Sequence, residues 1–137
     1  MNLKQGMVAM AVAGALGFAG SAMAMTKAEM KTEKDRIEAE FKSAKAKCDG
    51  LKGNAKDICM AEAKGAHKVA KAELDARDKD TDKHRVAVQK AKAEAEYDVA
   101  KERCDDMTGN AKDTCKKDAK AAFKAAKANA KVAANAW

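Results

Sequence analysis

Apolar side chains, with one lysine among them in each case, recur at every third or fourth position along two stretches of the chain, and each stretch ends at a cysteine. That period places the side chains on one face of an α-helix. The first stripe comprises Met30, Lys34, Ile37, Phe41, Ala44 and Cys48, and the second comprises Val86, Lys90, Ala93, Tyr97, Ala100 and Cys104.

A second helical stripe begins at a cysteine shortly after each of these two. Its members are Cys59, Ala63, Ala66, Ala70 and Leu74 in the first case, and Cys115, Ala119, Ala122, Ala126 and Ala130 in the second. One cysteine therefore closes a stripe and the next opens another. The pattern predicts an all-α protein of two tandem αα-hairpins, in which each cysteine pair lies beside a turn.

The two hairpins are predicted to be copies of one unit. Residues 48–59 align with residues 104–115 at an offset of 56 without a gap, and both end in Gly-Asn-Ala-Lys-Asp-x-Cys. A motif recurring at a fixed spacing is typical of a duplicated supersecondary element. We assign hairpin repeat 1 to residues 25–80 and hairpin repeat 2 to residues 81–137.

The loop of each unit carries turn and capping signals. Gly50 is expected to take the left-handed conformation that ends a helix, and Asp106 occupies its position in repeat 2. Asn54 and Asn110 are expected to cap the second helix of each hairpin, with an acidic residue three positions later near the positive helix end.

The junction between the units has two interpretations. Residues 78–83 are polar and contain Asp80 and Thr81, which could cap a new helix and give a four-helix arrangement. However, residues 66–108 contain no glycine or proline. Because nothing forces a turn, the sequence slightly favours one continuous helix of about 50 residues, roughly 75 Å long.

The N-terminus is predicted to be a cleavable signal peptide, residues 1–24. Lys4 precedes an apolar run of residues 7–20, and Ala22-Met23-Ala24 has the small-x-small pattern of a cleavage site. The run is shorter than the roughly 20 residues of a membrane span. We therefore expect export to the periplasm.

The composition predicts a thin hydrophobic core. Only 11 residues after position 24 are Leu, Ile, Val or Phe, and the whole chain carries a net charge of +7. Burying a methylene group stabilises a fold by only about 0.8 kcal/mol, so alanine contributes little. A thin core also favours self-association, because pairing buries more surface.

Disulfides are the expected compensation in an oxidising compartment. Four cysteines allow three pairings, which sequence alone does not resolve. The local pairing, Cys48 with Cys59 and Cys104 with Cys115, is favoured because it is identical in both units and joins facing stripes. Closing so short a loop should stabilise each hairpin by roughly 3 kcal/mol.

The sequence offers little catalytic or metal chemistry, and we expect neither an enzyme nor a bound cofactor. The cysteine pairs are too widely spaced for a typical structural zinc site. Asp78, Asp80 and Asp82 alternate as in a calcium loop, but Lys83 stands where glycine is required and Gln89 where glutamate is required. His67 is expected to be a packing residue and His84 a solvated one.

A basic stripe on the C-terminal helix is the candidate binding surface. No acidic residue follows Asp118, and four lysines fall in a narrow band, namely Lys120, Lys124, Lys127 and Lys131. Such a stripe can bind anionic lipid, a polyanion or an acidic protein. We do not expect a nucleic-acid partner, because the stripe lacks interleaved aromatic residues.

The paired Gly-Asn-Ala-Lys-Asp-x-Cys segments, residues 53–59 and 109–115, resemble those of a group of small periplasmic proteins of Gram-negative bacteria. Leu51-Lys52-Gly53 is also similar to the core of the phosphate-starvation-inducible PsiF repeat. The resemblance implies an exported helical-hairpin protein and implies no particular activity.

The expected function is a non-catalytic structural, stress-related or binding role in the cell envelope. Two alternatives stay open at this point. One is a metal- or redox-responsive protein that uses its cysteines, and the other is attachment to anionic membrane through the basic C-terminal helix.

Overall fold

The computed structural model describes residues 24–134, and every regular element in that range is an α-helix. The helices are α1 (Lys27–Cys48), α2 (Gly53–Asp78), α3 (Asp82–Asp105) and α4 (Gly109–Ala134). The predicted all-α fold of two disulfide-closed hairpins is confirmed. Residues 1–23, with nearly all of the predicted signal peptide, and residues 135–137, with Trp137, lie outside the described residues.

The four helices form an open row in chain order. Among the described residues, the backbone of α1 approaches only α2, α2 also approaches α3, and α4 approaches only α3. Two hairpins therefore lie side by side through α2 and α3. In the described part of the chain, the row leaves one edge of α1 and one edge of α4 without a neighbouring helix.

A local disulfide joins the two helices of each hairpin beside the turn, as predicted. Cys48 is bonded to Cys59 and Cys104 to Cys115, and the Cα atoms are 5.6 Å apart in both bonds. Cys48 and Cys104 have no exposed surface.

The details of the hairpin turns differ from the prediction at two positions. Gly53 and Gly109, with φ of 60° and 57°, are the left-handed residues among those described, whereas Gly50 is not. They start the second helix rather than end the first. Asn54 consequently lies inside α2, where its side chain reaches across to α3 and donates a hydrogen bond to the Glu102 carbonyl, 2.8 Å away.

The prediction of one long central helix is wrong, because α2 ends at Asp78 and α3 begins at Asp82. The four-helix alternative is the one that forms. Thr81 caps α3 by accepting a hydrogen bond from the backbone N–H of His84, 3.3 Å away. Arg85 pairs with both Asp80 and Asp82 across the break. Side-chain hydrogen bonds to the backbone thus replace the helical ones, and a turn forms without glycine or proline.

The core is thin and built mostly from small side chains. Its largest members are Ile37, Leu74 and Val88, and Ala63, Ala91, Ala93 and Ala130 supply most of the rest. The predicted stripes supply much of this core, although Lys34, Ala66 and Ala122 are exposed.

The two hairpins approach each other closely at Gly65, which is buried. A Cβ atom placed on Gly65 would lie 2.7 Å from Ala95 Cβ and 3.2 Å from Ala95 Cα, well inside van der Waals contact. Only glycine permits α2 and α3 to cross at this distance. Gly65 thereby fixes how the second hairpin sits against the first.

Candidate functional site

The basic stripe lies on α4, whose apolar side packs against α3. Lys120, Lys124 and Lys131 are exposed, whereas Lys127 is half-buried. Lys127 Nζ sits 4.3 Å from the centre of the Phe123 ring. Three of the four predicted lysines are therefore free to meet a partner, and the fourth is directed onto an aromatic ring of its own helix.

An aromatic pair lies beside this stripe. Tyr97 of α3 stacks on Phe123 with ring centres 4.7 Å apart, and Lys101 Nζ lies 4.7 Å from the Tyr97 ring. Cation–π contacts at exposed sites stabilise by about 0.5–1 kcal/mol. The cluster holds α4 against α3. The available sequence signal was the repeat itself, since Tyr97 and Phe123 lie 56 positions after Phe41 and His67.

The equivalent pair in the first hairpin contains His67. Its ring stacks on Phe41 with centres 4.3 Å apart, and His67 Nε2 lies 2.8 Å from a Glu38 carboxylate oxygen. This hydrogen bond is the main cause that lowers the pKa of Glu38. His67 is thus a packing residue in contact with α1, as predicted, while His84 lies against Thr81 at the start of α3.

An open groove of about 700 Å³ lies between α2, α3 and α4 near the junction. Its floor includes Ala76, Val88 and Ala130, and Arg77 and Arg85 stand at its edge. Arg85 is paired with Asp80 and Asp82, and Arg77 contacts Glu33 at 3.4 Å. The arginines are therefore held by carboxylates of the chain itself.

Charged groups elsewhere form ion pairs on the helix surfaces. Asp105 accepts from Lys116 at 2.8 Å and from Lys112 at 3.2 Å, and these contacts lower its pKa. Within residues 24–134, no group of three or more His, Cys, Asp or Glu side chains could hold a metal ion. No helix of the same range is long and apolar enough to cross a bilayer.

The two disulfides are the remaining chemistry of the described chain. In each bond one cysteine, Cys48 or Cys104, is buried, and its partner, Cys59 or Cys115, is half-buried. Every cysteine is oxidised. Two disulfides in a small chain indicate folding in an oxidising compartment.

The chain has no match among protein-family models, curated proteins or solved structures. What the site can do therefore rests on its own geometry.

Proposed function

We propose that this protein is an exported, non-catalytic helical protein of the cell envelope that binds an anionic partner through α4. The observation that carries the proposal is the exposed set Lys120, Lys124 and Lys131. Within residues 24–134 these lysines lie on a helix that has a single neighbouring helix, and no acidic residue follows Asp118 in the sequence.

The disulfides and the predicted signal at residues 1–24 support export. The ion-pair network supports a binding role rather than catalysis. Catalytic groups are usually desolvated in a cleft, where burial shifts their pKa. Here the groups with shifted pKa values, such as Glu38 and Asp105, lie at the surface and owe the shift mainly to a hydrogen-bonded partner.

The packing of α4 favours a protein or polymer partner over insertion into lipid. A helix that lies in a membrane interface buries its own apolar face among the acyl chains. In α4 that face is already packed on α3, and Ala130 is only 3% exposed. Lys120, Lys124 and Lys131 remain exposed for an acidic surface, and Val132 is the one large apolar side chain exposed on the described part of α4.

A pull-down from periplasmic extract tests this proposal. The variant Lys120→Gln/Lys124→Gln/Lys131→Gln removes the exposed lysines of the stripe. The matched control, Lys27→Gln/Lys34→Gln/Lys42→Gln, removes the same charge from exposed positions of α1. We expect wild type and control to retain the same partner and the stripe variant to lose it.

Equal retention by all three proteins, or retention by none, would contradict the proposal. Sedimentation with anionic and neutral vesicles separates a lipid surface from a protein partner. Each lysine near an anionic bilayer contributes about 1 kcal/mol, so the stripe variant should bind such vesicles roughly 100-fold more weakly if lipid is the partner.

A redox role is the second candidate, because Cys59 and Cys115 are partly accessible to a reductant. Thiol labelling of freshly isolated protein decides between the roles. Fully blocked cysteines support the structural role, whereas substantial free thiol supports cycling between thiol and disulfide.

A further inference from the structure

The contact between the hairpins provides a template for what could pack on the free edges of the row. Positions 56 residues apart occupy equivalent places in the two hairpins, so the side of α2 that meets α3 corresponds to a side of α4 that meets no described helix. We call this side the α4 edge; it consists of Thr114, Asp118, Ala121, Ala125, Ala128 and Val132.

The opposite end of the row has a matching surface. The side of α3 that meets α2 corresponds to a side of α1, which we call the α1 edge; it consists of Arg36, Ala39, Ser43, Ala46 and Lys47. Every residue of both edges is exposed, and Val132 is 69% exposed. One molecule therefore carries an α2-like edge and an α3-like edge.

At the positions equivalent to the ion pairs between the hairpins, the two free edges again carry opposite charges. Glu62 of α2 contacts Arg103 of α3 at 3.4 Å. The equivalent residues are Asp118 on α4, 56 positions after Glu62, and Lys47 on α1, 56 positions before Arg103. Complementary charges at equivalent positions fix register and exclude wrong partners.

A second pair behaves in the same way. Lys68 contacts Glu94 at 2.9 Å, and the equivalent residues are Lys124 and Glu38. The third inner pair, Lys92 with Glu73 at 3.1 Å, becomes Arg36 opposite an asparagine, which introduces no repulsion.

We propose that a second copy of this chain docks its α1 edge on the α4 edge, so that the row of helices continues from one molecule into the next. The occupant is a second copy because α1 supplies both complementary charges in the register that the inner contact defines: Lys47 on the α1 edge and Glu38 beside it, both exposed. Such a head-to-tail contact is heterologous, so it gives rings or open chains rather than an isologous dimer.

One position sets the strength of this contact. Where the inner interface has Gly65, the α4 edge has Ala121, and its partner on α1 is Ala39 in place of Ala95. A Cβ at Gly65 would come within 2.7 Å of Ala95 Cβ, so Ala121 keeps two molecules further apart than the two hairpins of one molecule. The association is therefore weak and reversible.

Charge reversal at the two edges tests the contact in the purified, oxidised protein. Sedimentation equilibrium over a range of concentrations should show self-association of the wild type, weakened by salt. Asp118→Lys and Lys47→Asp should each weaken it by up to about fivefold, since an exposed ion pair contributes up to about 1 kcal/mol. The double variant should restore it, and Ala121→Gly should strengthen it.

The control is Asp57→Lys, which reverses an exposed charge outside both edges and should leave association unchanged. Neither substitution of the charge-reversal pair touches the basic stripe, so the result is independent of the proposed anionic partner. A wild type that stays monomeric at every concentration overturns the proposal. Failure of the double variant to recover association, with the melting temperature of all variants unchanged, overturns it as well.

Discussion

Replacing Gly65 by alanine should destabilise the protein, although the same change on a free helix stabilises it. In a helix, alanine is favoured over glycine by about 1 kcal/mol. Here the added Cβ would lie 2.7 Å from Ala95 Cβ, whereas carbon atoms in contact sit about 3.5–4.0 Å apart. The helices α2 and α3 must then separate by about 1 Å, because the obstructing atoms are a Cβ and a backbone Cα that cannot rotate away.

The expected size of the effect follows from two opposing terms. Overpacking of this kind costs about 1–3 kcal/mol, and the helix-propensity gain offsets about 1 kcal/mol of it. A net loss of up to about 2 kcal/mol should lower the melting temperature by up to roughly 8 °C in a chain of this size. Thermal unfolding followed by circular dichroism measures it.

Two further variants make the measurement specific. Gly50→Ala is the control, since a Cβ there would meet only the Lys47 carbonyl oxygen, at 3.8 Å; its melting temperature should stay close to wild type. Adding Ala95→Gly to Gly65→Ala should recover part of the loss, because it removes the nearest obstructing atom. A Gly65→Ala protein that melts above wild type would refute the close crossing of α2 and α3.

Three other expectations follow from the structure. Replacing Cys48 and Cys59 together by serine should reduce the free energy of unfolding, measured with denaturant, by about 3 kcal/mol, because the unfolded chain regains the entropy that the closed loop had removed. An unchanged denaturation midpoint would contradict the structural role of the bond. Asn54→Ala should reduce the free energy of unfolding by about 1 kcal/mol, because it removes the partly buried hydrogen bond to α3. The equivalent change at exposed Asn110 should have almost no effect, and equal losses at the two positions would contradict this expectation. Lys116 and Lys112 lower the folded-state pKa of Asp105. Its contribution to stability is therefore present above the ordinary carboxyl range and is lost as the pH falls through the lowered pKa. Asp105→Asn should flatten the acid side of a plot of melting temperature against pH, and an unaltered acid side would argue against these contacts.

The sequence predicted the hairpins and their disulfides because the evidence for them is local and duplicated. Cys48 and Cys59 each terminate a stripe of the correct period, and the second unit repeats the arrangement. Helical periodicity also identified most of the core positions, since the spacing of apolar residues reflects the one face that each helix buries.

The sequence slightly favours a continuous helix over the break after Asp78, because the break depends on side-chain hydrogen bonds rather than on glycine or proline. Thr81 was recognised as a possible cap, but the bonds from Arg85 to Asp80 and Asp82 that reinforce the turn become visible only in three dimensions. The left-handed residue was placed at Gly50 because a glycine often follows a helix end. In the structure the chain instead turns at Gly53, directly before α2.

The role of Gly65 could not be predicted from periodicity, because its importance comes from a contact with the other hairpin. The available signal was a glycine in the middle of a helical stretch, where the equivalent residue of the second unit is Ala121. A glycine at that position destabilises an isolated helix. It is explained only by the close approach of Ala95.

The most direct test of the account is the cysteine pairing in the protein isolated from its native compartment, determined by peptide mapping under non-reducing conditions. Two disulfides hold a row of helices whose small side chains bury too little surface to do so alone. The account predicts peptides linked between Cys48 and Cys59 and between Cys104 and Cys115, with no free thiol. Reduced cysteines, or a bond joining one hairpin to the other, would contradict it.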